Sequence, residues 1–332
     1  MNTALLTLDD VLQAQTRLAD GVRVTPCAPS ARLSDLAGME IIAKHDYLQA
    51  TGSFKERGAR HALACLTSAQ RTRGVVAASA GNHALGLAFH GGKLGVPVTV
   101  VMPRNAPRVK ANRCHTLGAR VVLHGDTYDE ASVHAHALAA AHGLAYVHPF
   151  DDLAVIAGQG TLALEALLAE PDVDAFVVPV GGGGLLAGVA TVVKALRPDV
   201  RVIGVEPAHA AGLAAARQAG RPVRTATLPT LADGLAVAQT GAHTFAHTQA
   251  FVDDVVTVSE DDLALALLAA HEAHGVSLEG AGATALAACL SGRLPSLAGQ
   301  RVLVALTGAN IDPANHARAL RRARVLREEV VA

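Results

Sequence analysis

The sequence predicts an α/β protein made of two doubly wound parallel-sheet domains. Short apolar runs alternate with helix-period segments along almost the whole chain. Gly181, Gly182, Gly183 and Gly184 stand between the apolar run 176–180 and the segment 185–190, which has helical spacing. That is a strand feeding a helix through a turn without side chains. Two further apolar runs end in small or polar residues. The run 75–78 leads into Ser79, Ala80, Gly81, Asn82 and His83, and the run 302–306 leads into Thr307, Gly308, Ala309 and Asn310. Open α/β sheets bind ligands at the carboxyl ends of their strands, and these are three such ends.

Thr7-Leu8-Asp9-Asp10 reads as a capping box opening a helix, with Leu8, Val11, Leu12 and Leu18 at helical spacing. Another helix contains Lys55. Beyond it, strands are expected at 75–79, 97–102, 119–123 and 144–147, and helices at 82–94, 106–117 and 127–142. These β-α units make one small parallel sheet. A second series runs helix 158–169, strand 174–180, helix 184–196, strand 201–206 and helix 209–219. A loop-rich segment is expected at 220–250, then a strand near 251–257. Ser259-Glu260-Asp261-Asp262 reads as a further capping box, opening helix 259–273. Helix 280–291, strand 301–306 and helix 312–325 complete the pattern.

Composition narrows the function classes. Of 332 residues, 51% are hydrophobic and 17% charged, so a sizeable core is expected. Aromatics are 3% with no Trp, so that core must be Ala, Val and Leu. The net charge of −1 and the absence of a basic stripe give nucleic-acid binding no support. Cys27, Cys65, Cys114 and Cys289 are far apart, with no C-x-x-C pair, and read as reduced thiols of a cytoplasmic protein. The opening Met1–Leu6 has no basic leader pattern, and no run of about 20 apolar residues suggests a membrane span. His134, His136 and His142 cluster without H-E-x-x-H spacing, and a surface or packing role is expected for them.

The glycine turn presents backbone N–H groups at the positive end of a helix, which suits a phosphate. Lysine is scarce, and Lys55 sits inside Thr51-Gly52-Ser53-Phe54-Lys55-Glu56-Arg57-Gly58-Ala59. A phosphate cradle with a singled-out lysine points to a phosphorylated aldehyde held as a Schiff base. A Rossmann-type nucleotide-binding protein is the reading from a different class. The turn lacks G-x-G-x-x-G, although Glu206 follows at about the ~20-residue distance of the acidic residue in that pattern.

At this point the motifs match a family. The chain resembles the fold type II pyridoxal phosphate (PLP) enzymes, and within them the serine/threonine dehydratases, with serine racemase as a near relative. The similarity runs from about residue 7 to 325. It rests on T-G-S-F-K-x-R-G-A at 51–59, S-A-G-N-H at 79–83, V-I-A-G-Q-G-T at 155–161, P-V-G-G-G-G-L at 179–185, L-A-D-G at 231–234 and T-G-A-N at 307–310.

The resemblance implies PLP in a cleft between a large cofactor domain (1–50 and 151–332) and a small domain (51–150) carrying the substrate loop. Lys55 would hold the cofactor and take the Cα proton. Phe54 would pack on the pyridine ring and Asn82 would bond its hydroxyl. Gly181, Gly182, Gly183, Gly184 and the Leu185 N–H would hold the phosphate. The N–H groups of Ser79, Ala80, Gly81, Asn82 and His83 would hold the substrate carboxylate. Thr307, where the family usually has Ser, would face the pyridine nitrogen. A hydroxyl keeps that ring a weaker electron sink than a carboxylate would, which favours elimination.

Three departures matter. Serine racemase has a second serine as the base on the opposite ring face, and here that position is Ala80. The family's cation site would use Glu206 and the Ala210 carbonyl, but its Asp position is Gly212. Ala309 replaces the usual Gly. The implied activity is an ammonia-lyase on an L-β-hydroxy amino acid, L-threonine or L-serine, giving a 2-oxo acid and ammonia. Phenylserine, 3-hydroxyaspartate or hydroxyectoine-derived substrates, and serine racemisation, are the alternatives. Tyr128 and residues 235–241 are the expected side-chain pocket. A homodimer or homotetramer is expected, as is a catabolic role, since nothing after the last helix is long enough for a regulatory domain.

Overall fold

The computed structural model describes residues 4–331. Met1, Asn2 and Thr3, part of the opening segment read above for a leader, lie outside them. Leu8–Leu18 forms α1, capped by Thr7 with the reciprocal Asp10 bond that its sequence implied. Then come β1 (Cys27–Pro29), α2 (Ala31–Ala37), β2 (Glu40–Lys44), α3 (Lys55–Ala64) and α4 (Ser68–Arg73). Next are β3 (Val75–Ala78), α5 (Asn82–Leu94), β4 (Val98–Met102), α6 (Arg108–Thr116), β5 (Arg120–Leu123), α7 (Tyr128–His142) and β6 (Ala145–Tyr146). The remainder supplies α8 (Leu153–Ala169), β7 (Ala175–Pro179), α9 (Gly184–Leu196), β8 (Arg201–Pro207), α10 (Gly212–Ala219) and α11 (Ala242–Phe251). It ends with β9 (Asp254–Val258), α12 (Glu260–His274), α13 (Gly280–Leu290), β10 (Arg301–Ala305) and α14 (Pro313–Val331).

Two separate sheets result. Strands β5-β4-β3-β6 form a parallel sheet from the middle of the chain. Strands β1-β2-β10-β7-β8-β9 form a larger one from both flanking parts. It is parallel, as expected, with one edge strand, β1, running antiparallel to β2. The connection 30–39 is too short for the crossover of about a dozen or more residues that a parallel pair needs. Pro29 has no N–H to offer a further strand, which suits an edge.

Two helices differ from the sequence expectation. Helix α8 begins at Leu153 rather than 158, because the Asp152 carboxylate caps the Ala154 and Val155 N–H groups at 2.8 and 3.2 Å. Helix α11 lies inside the segment expected as loop, and β9 accordingly starts at 254. The cap of α11 comes from Asp151, which accepts from Ala242 and Thr244 N–H, both at 3.0 Å. A cap supplied from so far away in sequence has no local signature. His134 stacks on His124 and His136 on Tyr146, both at 3.9 Å between ring centres, so these histidines pack as expected. No helix among the described residues is long and apolar enough to cross a membrane.

The core is the aliphatic one that composition demanded. Buried Val, Leu, Ile and Ala side chains fill both faces of the large sheet. Helices α8 and α9 pack backbone to backbone where Gly160 meets Gly188. A Cβ on Gly188 would lie 2.4 Å from the Ile156 carbonyl oxygen and 2.6 Å from the Gly160 nitrogen. Backbone atoms cannot move aside cheaply, so Gly188→Ala should destabilise the fold by about 2 kcal/mol or more. The expected result is a lower urea midpoint with an unchanged slope, and an unchanged midpoint would remove this account of the crossing.

Candidate active site

The sequence motifs meet by backbone pairing. Ser53 bridges Gly308, with Phe54 N–H donating to the Thr307 carbonyl and Ala309 N–H to the Gly52 carbonyl, both at 3.0 Å. This places Lys55 at the first turn of α3 beside the end of β10. Its Nζ donates to the Pro149 carbonyl at 2.7 Å and stands 5.3 Å from the Phe54 ring centre. Burial lowers the Lys55 amine to about 8, against an opposing pull from Glu279.

Helix α3 is fixed from behind. Arg57 is fully buried and makes paired bonds to Asp46 at 2.8 and 2.7 Å and to Glu165 at 2.7 and 2.8 Å. It also reaches Thr161 Oγ1 at 3.1 Å, while Gly58 N–H donates to Gln159 Oε1 at 3.2 Å. Lys44 completes the group on Glu165 at 2.6 Å. The Gln159-Gly160-Thr161 part of the sequence motif therefore braces α3.

Around Lys55 opens a cleft of about 710 Å³. Phe54, Asn82, Gly181 to Gly184, Leu185, Thr307 and the 79–83 loop all line it. The glycine turn leads into the N-terminus of α9, and the 79–83 loop into that of α5. First-turn N–H groups have no partner within their own helix, so both termini aim donors and positive dipole ends at one space. The left-handed residue of the turn is Gly183, at φ +93°. At Gly182 the constraint is contact, since a Cβ would lie 2.2 Å from the Phe150 ring.

The 79–83 loop differs in detail from expectation. Ser79 N–H donates to the Val101 carbonyl, and Ser79 Oγ accepts from Gly81 and Ala84 N–H at 3.3 Å. The loop N–H groups left without a partner among the described residues are thus those of Ala80, Asn82 and His83. The His83 ring is buried under the loop, with Nε2 3.3 Å from the Val147 carbonyl. Burial first, and then Lys55, push it down to about 3, so it is neutral.

Glu279 is the residue that sequence reasoning missed. It lines the cleft and accepts from Asn82 Nδ2 at 2.6 Å. Asn82 Oδ1 accepts in turn from Asn310 Nδ2 at 2.8 Å, and Asn310 Oδ1 from Arg113 at 2.9 Å. A lone acid in the apolar and small-residue run 278–290 was the available signal. Glu206 lies elsewhere: its carboxylate accepts from Leu213 and Ala214 N–H at 2.7 and 2.9 Å and so caps α10. Ala210 is buried in the turn before it. Among the described residues no group of three or more His, Cys, Asp or Glu could hold a metal ion. Tyr128 and residues 235–239 do line the cleft.

This lining fits a phosphorylated pyridine aldehyde. It offers an amine lowered by burial, a side-chain-free phosphate cradle at one helix terminus, and a second terminus for a carboxylate. The family comparison agrees: residues 18–308 match the model of pyridoxal-phosphate dependent enzymes, and the chain belongs to that family. PLP is therefore its cofactor. The chain is 45% identical over 308 residues to the L-threonine ammonia-lyase of Thermotoga maritima, covering 93% of this chain and 76% of that one. It superposes on the processed form of threonine deaminase isoform 2 from Solanum lycopersicum with a TM-score of 0.91 and 35% identity, over 98% and 91% of the two chains. For serine racemase from Dictyostelium discoideum the TM-score is 0.88 and the identity 34%, over 93% and 100%.

Burial raises Glu279 to about 7 from its ordinary 4.5, against the opposing Asn82 bond. The folded protein therefore keeps a proton there that the unfolded chain has released between those values. Stability from this site is full below about pH 4.5 and is lost as pH rises through about 7. Urea unfolding of the cofactor-free protein should show the wild type losing stability relative to Glu279→Gln between about pH 5 and pH 7. Parallel pH profiles would show that Glu279 is not held protonated.

Proposed function

We propose that this protein is a PLP-dependent ammonia-lyase that eliminates water from L-threonine or L-serine, giving a 2-oxo acid and ammonia. The observation that carries the reading is the half-buried Lys55, its amine lowered to about 8, in one cleft with two helix N-termini. The named activities of the 45% and 35% identical relatives support it. Tyr128 and residues 235–239, which line the cleft, are our candidates for the pocket that selects the side chain.

When bound, PLP supplies the electron withdrawal that acidifies the amino acid Cα proton. Gly181 to Gly184 and Leu185 would hold the phosphate end by backbone N–H groups. The N–H groups of Ala80, Asn82 and His83 orient the substrate carboxylate. Phe54 would pack on the ring, and Asn82, held by Glu279 and Asn310, would bond its hydroxyl. Thr307, which lines the cleft, would offer the ring nitrogen a hydroxyl rather than a carboxylate. Lys55 Nζ, lowered to about 8 by burial and so partly deprotonated near neutral pH, would be the group that takes the Cα proton. The Cα proton and the β-hydroxyl together leave the substrate as one water, and hydrolysis of the resulting enamine by a second water gives the 2-oxo acid and ammonia.

The segment 51–150 acts in this reading as a small domain over a large domain of 1–50 and 151–332. The four free cysteines support a cytoplasmic setting, and we propose a homodimer or homotetramer. Lys55→Ala should lower kcat/KM by roughly a thousandfold or more, since one group both holds the cofactor and moves the proton. Turnover at more than a few per cent of wild type would overturn its assignment. Ala80→Ser should raise the ratio of D-serine to pyruvate formed from L-serine, because Ala80 lines the cleft and has no proton to give. An unchanged ratio on chiral chromatography would mean the opposite face is governed by another group.

A further inference from the structure

His148 lines the cleft and has no part in the chemistry above. Its Nδ1 accepts two backbone N–H groups, from Asp151 at 2.8 Å and Phe150 at 3.3 Å. An atom that accepts cannot carry the ring proton, so the proton of the neutral ring is on Nε2. Burial, and to a smaller extent the nearby Lys55, hold the imidazole at about 4, so the neutral ring persists at physiological pH. The Phe150 ring stands edge-on to it, with centres 4.5 Å apart.

The position of this ring is informative. The next residue, Pro149, accepts from Lys55 Nζ. The residue after that, Phe150, lies on the tetraglycine, where Cβ atoms on Gly182 and Gly184 would strike its ring and carbonyl at 2.2 and 2.7 Å. The segment 148–150 therefore spans from the lysine to the glycine turn. A ring locked here by its Nδ1 edge, with Nε2 unpartnered among the described residues, lines the same cleft and stands edge-on to the Phe150 ring that lies on the glycine turn.

We propose that His148 Nε2–H is a fixed, neutral hydrogen-bond donor to the cofactor phosphate, adding a side-chain contact to the glycine cradle. The inference rests on the reading of the cleft as a PLP site. It makes His148 a binding residue whose own charge does not change. A donor that stays neutral favours the charged phosphate without adding a second cation beside Lys55.

The test compares two cofactors that differ only in the phosphate. PLP and pyridoxal are titrated into the full-length apoprotein, and binding at Lys55 is followed by visible absorbance. His148→Asn keeps an acceptor near Nδ1 for the two backbone donors and deletes the Nε2 donor. His148→Gln restores an amide N–H near Nε2. We expect His148→Asn to weaken PLP about tenfold or more while pyridoxal changes less than about twofold, and His148→Gln to recover most of the PLP loss. Equal losses for both cofactors, or none for either, would overturn the proposal. If His148→Asn does not fold by circular dichroism, PLP-against-pyridoxal discrimination in His148→Gln decides. Discrimination within about threefold of wild type supports the donor, and loss of discrimination equal to removing the phosphate overturns it. A wild-type protein that forms no cofactor band would instead remove the underlying PLP reading.

Discussion

The position of Lys55 depends on the buried charge group behind it. Arg57 follows Lys55 by two residues and points away from the cleft, into Asp46 and Glu165, with Lys44 on the far side of Glu165. Two cations and two anions balance, with Lys44, Asp46 and Arg57 fully buried. Burial opposes the charge on Arg57, but Asp46 and Glu165 hold it charged. Such a group is not a strong source of net stability, because removing four charges from water costs about as much as their attraction returns. What it supplies is direction. The planar guanidinium fork accepts one arrangement of two carboxylates, so it ties the start of α3 to β2 and α8 in one register.

Glycine and small residues extend this rigidity. The contact of Gly160 with Gly188 brings α8 against α9, so the helix that braces α3 also braces the helix that follows the glycine turn. Lysine and cradle are thereby held by one packed block of backbone. A chain with few aromatics can do this because Ala, Val and Gly let helices approach closely.

The cleft is polar but low in charge. His83 and His148 are driven to neutrality by burial, and Glu279 is held near 7. The two rings therefore serve as neutral donors and acceptors, while Glu279 and Lys55, at about 7 and about 8, are the groups that titrate near neutral pH. In the proposed reading a substrate carboxylate and a cofactor phosphate would meet helix termini, which bind anions without introducing a mobile cation.

Much of this was legible in the sequence. The strand-turn-helix of Gly181 to Gly184, the loop 79–83 and Lys55 could be read because each is local: periodicity and turn chemistry act over a few residues. So could the Thr7 and Ser259 capping boxes. What required the tertiary structure is whatever joins distant residues. The Asp151 cap that makes α11 a helix, the antiparallel edge strand β1 and the bond from Glu279 to Asn82 each depend on partners far apart in the chain. The tautomer of His148 is set by backbone donors next in sequence, yet its place beside Lys55 and the tetraglycine comes only from folding. Local steric and hydrogen-bonding rules determine the elements, whereas desolvation and long-range pairing decide which side chains meet and in what protonation state.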